Sequence, residues 1–166
     1  MIMEERIICF EPVAEQDARL LILGTMPSVE SLRQSFYYAH PRNAFWPIIA
    51  DVLAQPRPET VEAKKQLLIG HRIALWDVAH SCVRSGSLDS AIRNVVPNDF
   101  AVLFARCPHI EKILFNGATA QKLFRKLVNS VPANCAVAQM PSTSPAYTLA
   151  YEHKLALWRN GMEGFI

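Results

Sequence analysis

With 166 residues, 51% of them apolar and 19% charged, and a formal net charge of +2, the chain has the size and apolar content of one folded domain. That balance excludes a disordered chain and a protein whose whole surface grips nucleic acid, so any contact with a polyanion is expected to be local. No apolar run nears the ~20 residues of a membrane span, and the opening MIMEERIICF, with acids ahead of a short apolar stretch, does not read as a signal peptide; the expected location is the cytoplasm.

In chain order, residues 7–10 predict a short edge strand. Residues 19–25 (RLLILGT) form the first of four apolar runs, followed by 72–77 (RIALWD), 111–116 (EKILFN) and 135–141 (CAVAQMP). Each is continuous rather than alternating, as in strands buried on both faces of a parallel sheet. Helical spacing lies between them. Residues 44–54 (AFWPIIADVLA) predict one helix, and 60–69 a second after the turn at Pro56 and Pro58. A short helix is expected over 99–106, opened by Pro97 and Asn98. An amphipathic helix is expected over 118–128 after the tight entry at Gly117, and a last one over 148–160, ending before Gly161. Alternating strands and helices predict a single α/β domain over 1–166. Three layers, α/β/α, would enclose a central, mostly parallel four-stranded sheet with right-handed crossovers.

In such sheets ligands bind beyond the carboxyl ends of the strands. Here those ends carry Gly24-Thr25-Met26-Pro27-Ser28, Asp77, Asn116-Gly117 and Pro141-Ser142-Thr143-Ser144-Pro145. The first segment lacks the lysine and second glycine of a phosphate loop; it reads equally as a strand-to-loop turn. Between the first strand and the start of the first helix, and running into it, stand Phe36, Tyr37, Tyr38, His40, Arg42, Asn43, Phe45 and Trp46. Aromatics interleaved with polar groups suit a pocket that stacks a flat base. Phe45 and Trp46 also fit the core face of the next helix, and Asn43 fits its N-cap. The loop from Pro141 to Tyr147 holds three hydroxyls between two prolines; it could grip phosphates or cap the last helix. Asp77 could read a base edge, position water or cap a turn. Cys9, Cys82, Cys107 and Cys135 include no C-x-x-C pair, so neither a metal nor another cofactor is expected, and Cys9 and Cys135 read as core.

GTMPSVESLRQSFYYAHPRNAFWPII resembles motif 1 of the uracil-DNA glycosylase superfamily: a G-x-x-P turn followed by N-x-F-W. MPSTSPAYTLAYEHKLALW resembles motif 2, the loop that enters DNA beside a flipped nucleotide. With LWDVAHSCVRSGSLDSAI and ILFNGATAQKLF, the similarity is strongest to the hypoxanthine-DNA glycosylase family and runs from about Arg19 to Trp158. Two positions depart from most of the superfamily. Met26 stands where an Asp or Asn orients water, and Met140 stands where a His or Asn precedes Pro-Ser. The resemblance implies a cofactor-free, metal-free monofunctional glycosylase, monomeric, that removes hypoxanthine from single- or double-stranded DNA. It also implies Asn43 as the catalytic residue and Phe45 as the ring that stacks on the base. Thr25, Met26, Tyr38 and Asp77 are expected at the base, and Ser28, Ser142, Thr143, Ser144 and Pro145 at the DNA backbone. The alternatives are a uracil or xanthine preference on the same fold, a non-catalytic damage-binding module, and an α/β enzyme of free nucleosides.

Overall fold

The computed structural model describes residues 5–166; the opening residues of the N-terminal stretch weighed as a signal peptide lie outside them. The main sheet is built from β2 (Leu20–Gly24), β3 (Ile73–Asp77), β6 (Lys112–Asn116) and β7 (Ala136–Met140). Its order is β3-β2-β6-β7, and every pairing is parallel. These are the four strands expected from the apolar runs. The central strand β2 is buried at every position, because both of its faces are covered.

Side chains alternate across the sheet, so each central strand feeds two cores. Leu20 and Ile22 join Ile48, Ile49, Leu68 and Trp158 on one face. Leu21 and Leu23 join Phe100, Leu103 and Phe124 on the other. The first core is closed by α2 (Phe45–Val52), α3 (Val61–Ile69) and α6 (Tyr151–Met162), the second by α4 (Phe100–Arg106) and α5 (Ala118–Leu127). The result is the expected three layers. Each fully buried Leu or Ile here contributes ~1.5–3 kcal/mol relative to exposure.

The structure departs from sequence expectation in several places. Strand β7 is an edge, and Val137 is 44% exposed, because nothing pairs beyond it in the main sheet. The residues near position 7 do not extend that sheet. β1 (Ile7–Ile8) pairs antiparallel with β4 (Ala79–Val83), which pairs with β5 (Arg93–Pro97) in a separate three-stranded sheet. A short helix, α1 (Val29–Gln34), follows the first strand end, capped by Ser28, whose Oγ accepts from Ser31 N at 3.1 Å. Helix α6 runs through Gly161 instead of stopping before it. A Cβ on Gly161 would lie 2.5 Å from Met140 Sδ, so this glycine serves close helix–sheet contact, not helix termination. Cys82 and Cys107 are the buried cysteines; Cys9 and Cys135, expected in the core, are half-buried. No helix among the described residues is long and apolar enough to cross a membrane.

Candidate active site

Strands β2, β3 and β6 end on Gly24, Asp77 and Asn116, and all three residues line one cavity of about 750 Å³. The strand exits stay zipped beyond the sheet: Val78 N donates to Gly24 O at 2.8 Å and Ala79 N to Thr25 O at 3.2 Å. Gly24 has to be small here. A Cβ on it would lie 2.5 Å from Tyr38 Oη and 2.6 Å from Asp77 Oδ1. The floor of the cavity is thus a place where a phenol and a carboxyl crowd bare backbone.

One wall is the segment before α2. Asn43 is half-buried and lines the cavity. Its Oδ1 accepts from Phe45 N at 3.0 Å, which fixes the amide plane and leaves the other lone pair of that oxygen available. Next to it, Ala44 N donates to Thr143 O at 3.0 Å, so this wall is tied to the loop after β7. Tyr38 stacks on Phe45 with ring centroids 4.1 Å apart and planes 26° from parallel. Tyr38 itself takes a left-handed backbone, φ 52°, which is uncommon for a bulky residue.

The loop after β7 is held from three sides. Asn116 Nδ2 donates to Thr143 Oγ1, and Asn116 Oδ1 accepts from Thr143 N, both at 2.9 Å. Trp158 Nε1 donates to Pro141 O at 3.0 Å. Lys154 Nζ donates to Ser144 O at 3.1 Å and lies 5.5 Å from the Tyr147 ring centroid. Within the loop, Ser142 Oγ accepts from Ser144 N and Ser144 Oγ from Ala146 N. The acceptor side of each hydroxyl is used, and each O–H remains to donate outward.

The opposite rim comes from the second sheet. Arg84 donates to Pro27 O and, at 2.8 Å, to Gly86 O. Val29 N donates to Ser87 Oγ at 2.9 Å, and Thr25 Oγ1 to Asp89 Oδ2 at 3.4 Å. Asp77 is 3% exposed. Burial pushes its carboxyl up to about 7, with Asp89 adding to the rise and Arg84 opposing it. Burial also keeps the Tyr38 phenol protonated, its pKa raised.

The model of the uracil DNA glycosylase superfamily matches residues 11–161 of the chain. The chain belongs to the uracil DNA glycosylase superfamily. It is 38% identical over 112 residues to the hypoxanthine DNA glycosylase of Methanosarcina acetivorans, covering 67% of this chain and 71% of that protein. The hypoxanthine DNA glycosylase of Methanosarcina barkeri is 32% identical over 109 residues, 65% and 69% of the two chains. The solution NMR structure of a candidate uracil DNA glycosylase from Methanosarcina acetivorans superposes with a TM-score of 0.76 at 30% identity. That match covers 94% of this chain and 98% of that one.

In this superfamily member the two motif segments meet at the cavity. Thr25, Met26, Ser28, Tyr38, Asn43, Asp77, Ser142, Thr143, Ser144 and Pro145 all line it. Phe45 does not. It is fully buried, packed edge-on against Trp46 and Trp158 with Tyr38 over its face, so the ring expected to stack on the base lies behind Tyr38, which lines the cavity. Thr143 is 1% exposed, and Asn116 donates to its Oγ1 and accepts from its N–H, which ties the loop to the end of β6. The Ser28 hydroxyl is committed to α1, accepting from Ser31 N and donating to Ser31 Oγ. Asn43 does not cap α2 in the expected way, since the N-cap is Ala44. The hydroxyls of the 141–147 loop do not cap α6 either, whose N-cap is Ala150. Asn116, Lys154, Arg84 and Asp89 were missed. Asn116 had a signal, its place at a strand end; Arg84 and Asp89 act through contacts distant in sequence, to Pro27 and Thr25, and Lys154 through the loop just before its own helix.

Proposed function

We propose that the chain is a monofunctional DNA glycosylase that flips a deaminated base out of the helix and hydrolyses its N-glycosidic bond, with hypoxanthine in deoxyinosine as the preferred base. The reading has it working as a monomer on DNA in the cytoplasm. One observation carries it: the Asn43 amide, pinned by Phe45 N, stands on the wall of a cavity of about 750 Å³. A loop bearing free hydroxyl donors forms the mouth. The substrate follows the two Methanosarcina relatives named hypoxanthine DNA glycosylase.

A base must leave the stack before C1′ can be reached, at a cost of a few kcal/mol that is smaller for a weakened pair. Ser142 and Ser144 donate to phosphates flanking the flipped nucleotide; such contacts position but do not specify. Pro145 and Tyr147 stand exposed at the loop tip to fill the vacated space. Tyr38, backed by Phe45, offers its ring to the base, and Thr25, Met26 and Asp77 surround its edge. As the bond stretches, positive charge grows on the sugar. The free lone pair of Asn43 Oδ1 orients a water toward C1′, where orientation matters more than deprotonation.

Labelled duplexes carrying deoxyinosine, deoxyuridine or deoxyxanthosine, treated with protein and then alkali, test this directly. Strand scission is expected at deoxyinosine. Asn43→Ala is expected to lower its single-turnover rate by ~100-fold or more while the melting temperature stays within a few degrees. A wild-type rate in that variant removes Asn43 from the reaction, and no scission at any of the three bases removes the activity.

A further inference from the structure

When a purine leaves C1′, the electron pair of the broken bond stays on the base. Protonation of a ring nitrogen during departure relieves that charge, and N7 is the most basic ring position of a hypoxanthine attached through N9. Nothing in the reading above supplies that proton.

Two groups at the cavity floor are available. Tyr38 Oη and Asp77 Oδ2 are buried and have no hydrogen-bond partner among the described residues, a costly condition for polar atoms in a native fold. Both residues line the cavity, and both crowd Gly24 from the same side. Asp77 is more than nine-tenths buried and sits at the end of β3, where the main chain is anchored by Asn98 Nδ2 on Asp77 O at 2.7 Å. The Asp77 carboxyl thus stands at the cavity with one oxygen that no group of the described residues satisfies.

We propose that Asp77 is the general acid of the reaction, passing a proton from its carboxyl to N7 of the flipped purine as the C1′–N9 bond breaks. This rests on the reading of the cavity as the seat of a flipped base. The step balances. The C1′–N9 electron pair moves into the imidazole ring, and N7 takes the Asp77 proton. The water oriented by Asn43 adds its oxygen to C1′. The proton it sheds returns through solvent to the Asp77 carboxylate and resets the acid. One water is consumed, the base leaves neutral, and the sugar keeps a hydroxyl. Uracil has no N7, so the same acid favours purines.

The charged and titratable surroundings suit a donor that works near neutrality. Asp89 and Arg84 approach from the segment after β4, Tyr38 and Tyr37 from the segment after α1, and Cys9 from the segment after β1. Burial and Asp89 push the Asp77 carboxyl up to about 7 against the pull of Arg84, and a catalytic acid is most effective when poised close to working pH.

The test is a four-way comparison of single-turnover rates: wild type and Asp77→Asn, each on duplexes containing deoxyinosine or 7-deaza-deoxyinosine, over a range of pH. Wild type on deoxyinosine is expected to be fastest below pH ~7 and to slow ~tenfold per pH unit above it. Asp77→Asn is expected to be ~100-fold slower or worse, with no alkaline limb. On the 7-deaza base wild type is expected to be slow, and the substitution to cost nothing further. An Asp77→Asn enzyme that keeps the wild-type rate and limb overturns the proposal. So does a substitution that costs as much on the 7-deaza base as on hypoxanthine, or a wild type that releases both bases equally fast. That last arm needs no variant and stands if Asp77→Asn fails to fold. If wild type releases hypoxanthine and only these signatures are missing, the general acid falls alone; if hypoxanthine is not released at all, both readings fall.

Discussion

A carboxyl group held in the floor of the cavity makes the stability of the fold depend on pH. Asp77 has its pKa raised to about 7 from 3.8, so the folded state holds this proton where the unfolded chain has already released it. The contribution is full below pH ~4, shrinks as pH rises, and is lost above ~7, where folding must bury a carboxylate; the span is worth ~4 kcal/mol at most. Asp77→Asn is therefore expected to melt several degrees higher than wild type at pH 8.5 and close to it at pH 4.5, by thermal unfolding at both. Equal gaps at the two pH values would contradict a neutral buried acid. Tyr38 carries a second local cost, its left-handed φ of 52°, of order 1–3 kcal/mol where a structure enforces it. At this scale the sequence was readable where polar groups stand at a strand end, as for Asp77, or amid clustered aromatics, as for Asn43; both line the cavity. It was not readable for Phe45. Helical spacing gave that ring a core reading and its place in the aromatic cluster gave it a pocket reading, and only the packing of Trp46, Trp158 and Tyr38 around it places it in the core.

Among the elements, the loop after β7 depends on a residue from another strand. Asn116 satisfies both the N–H and the hydroxyl of buried Thr143. Asn116→Ala leaves two buried groups without partners, at ~1–3 kcal/mol each, so a loss of ~2–6 kcal/mol is expected in urea unfolding. On the proposal that the loop grips DNA and breaks no bonds, KM should rise more than kcat falls. A stability change under ~0.5 kcal/mol would contradict the clamp. The main strands and the five longer helices were legible because continuous apolar runs and helical spacing both report burial. The small sheet was not. β5 is mostly exposed, and β4 shows register shifts against it, so neither has the alternation that marks a half-buried strand. Its contribution to the site, Arg84 and Asp89, was hidden with it. Gly161 misled for a related reason: a glycine near a helix end normally marks its termination, whereas this one admits Met140.

For the molecule as a whole, the net charge of +2 limits how strongly phosphates can be drawn in. The mouth offers Arg42 as an exposed cation, while Lys154 is buried under the loop; hydroxyl contacts release few counterions. Binding to a deoxyinosine duplex is expected to weaken with salt at a slope of about −2 to −4 in log K against log concentration. A slope steeper than about −6 would point to a basic face that the charge distribution does not provide. Overall architecture was the most legible level, since four parallel strands and their order of helices follow from local pattern alone. The meeting of distant segments was not, because it depends on single hydrogen bonds across about a hundred residues of chain. The bond from Ala44 N to Thr143 O joins the loop proposed to grip DNA to the segment that carries Asn43. On the proposed function, strain applied to the loop by a bound duplex would be relayed through this bond to the neighbouring Asn43 amide. A nucleotide that fails to seat the loop would then leave the water misaimed, and undamaged DNA would be released before any bond is at risk.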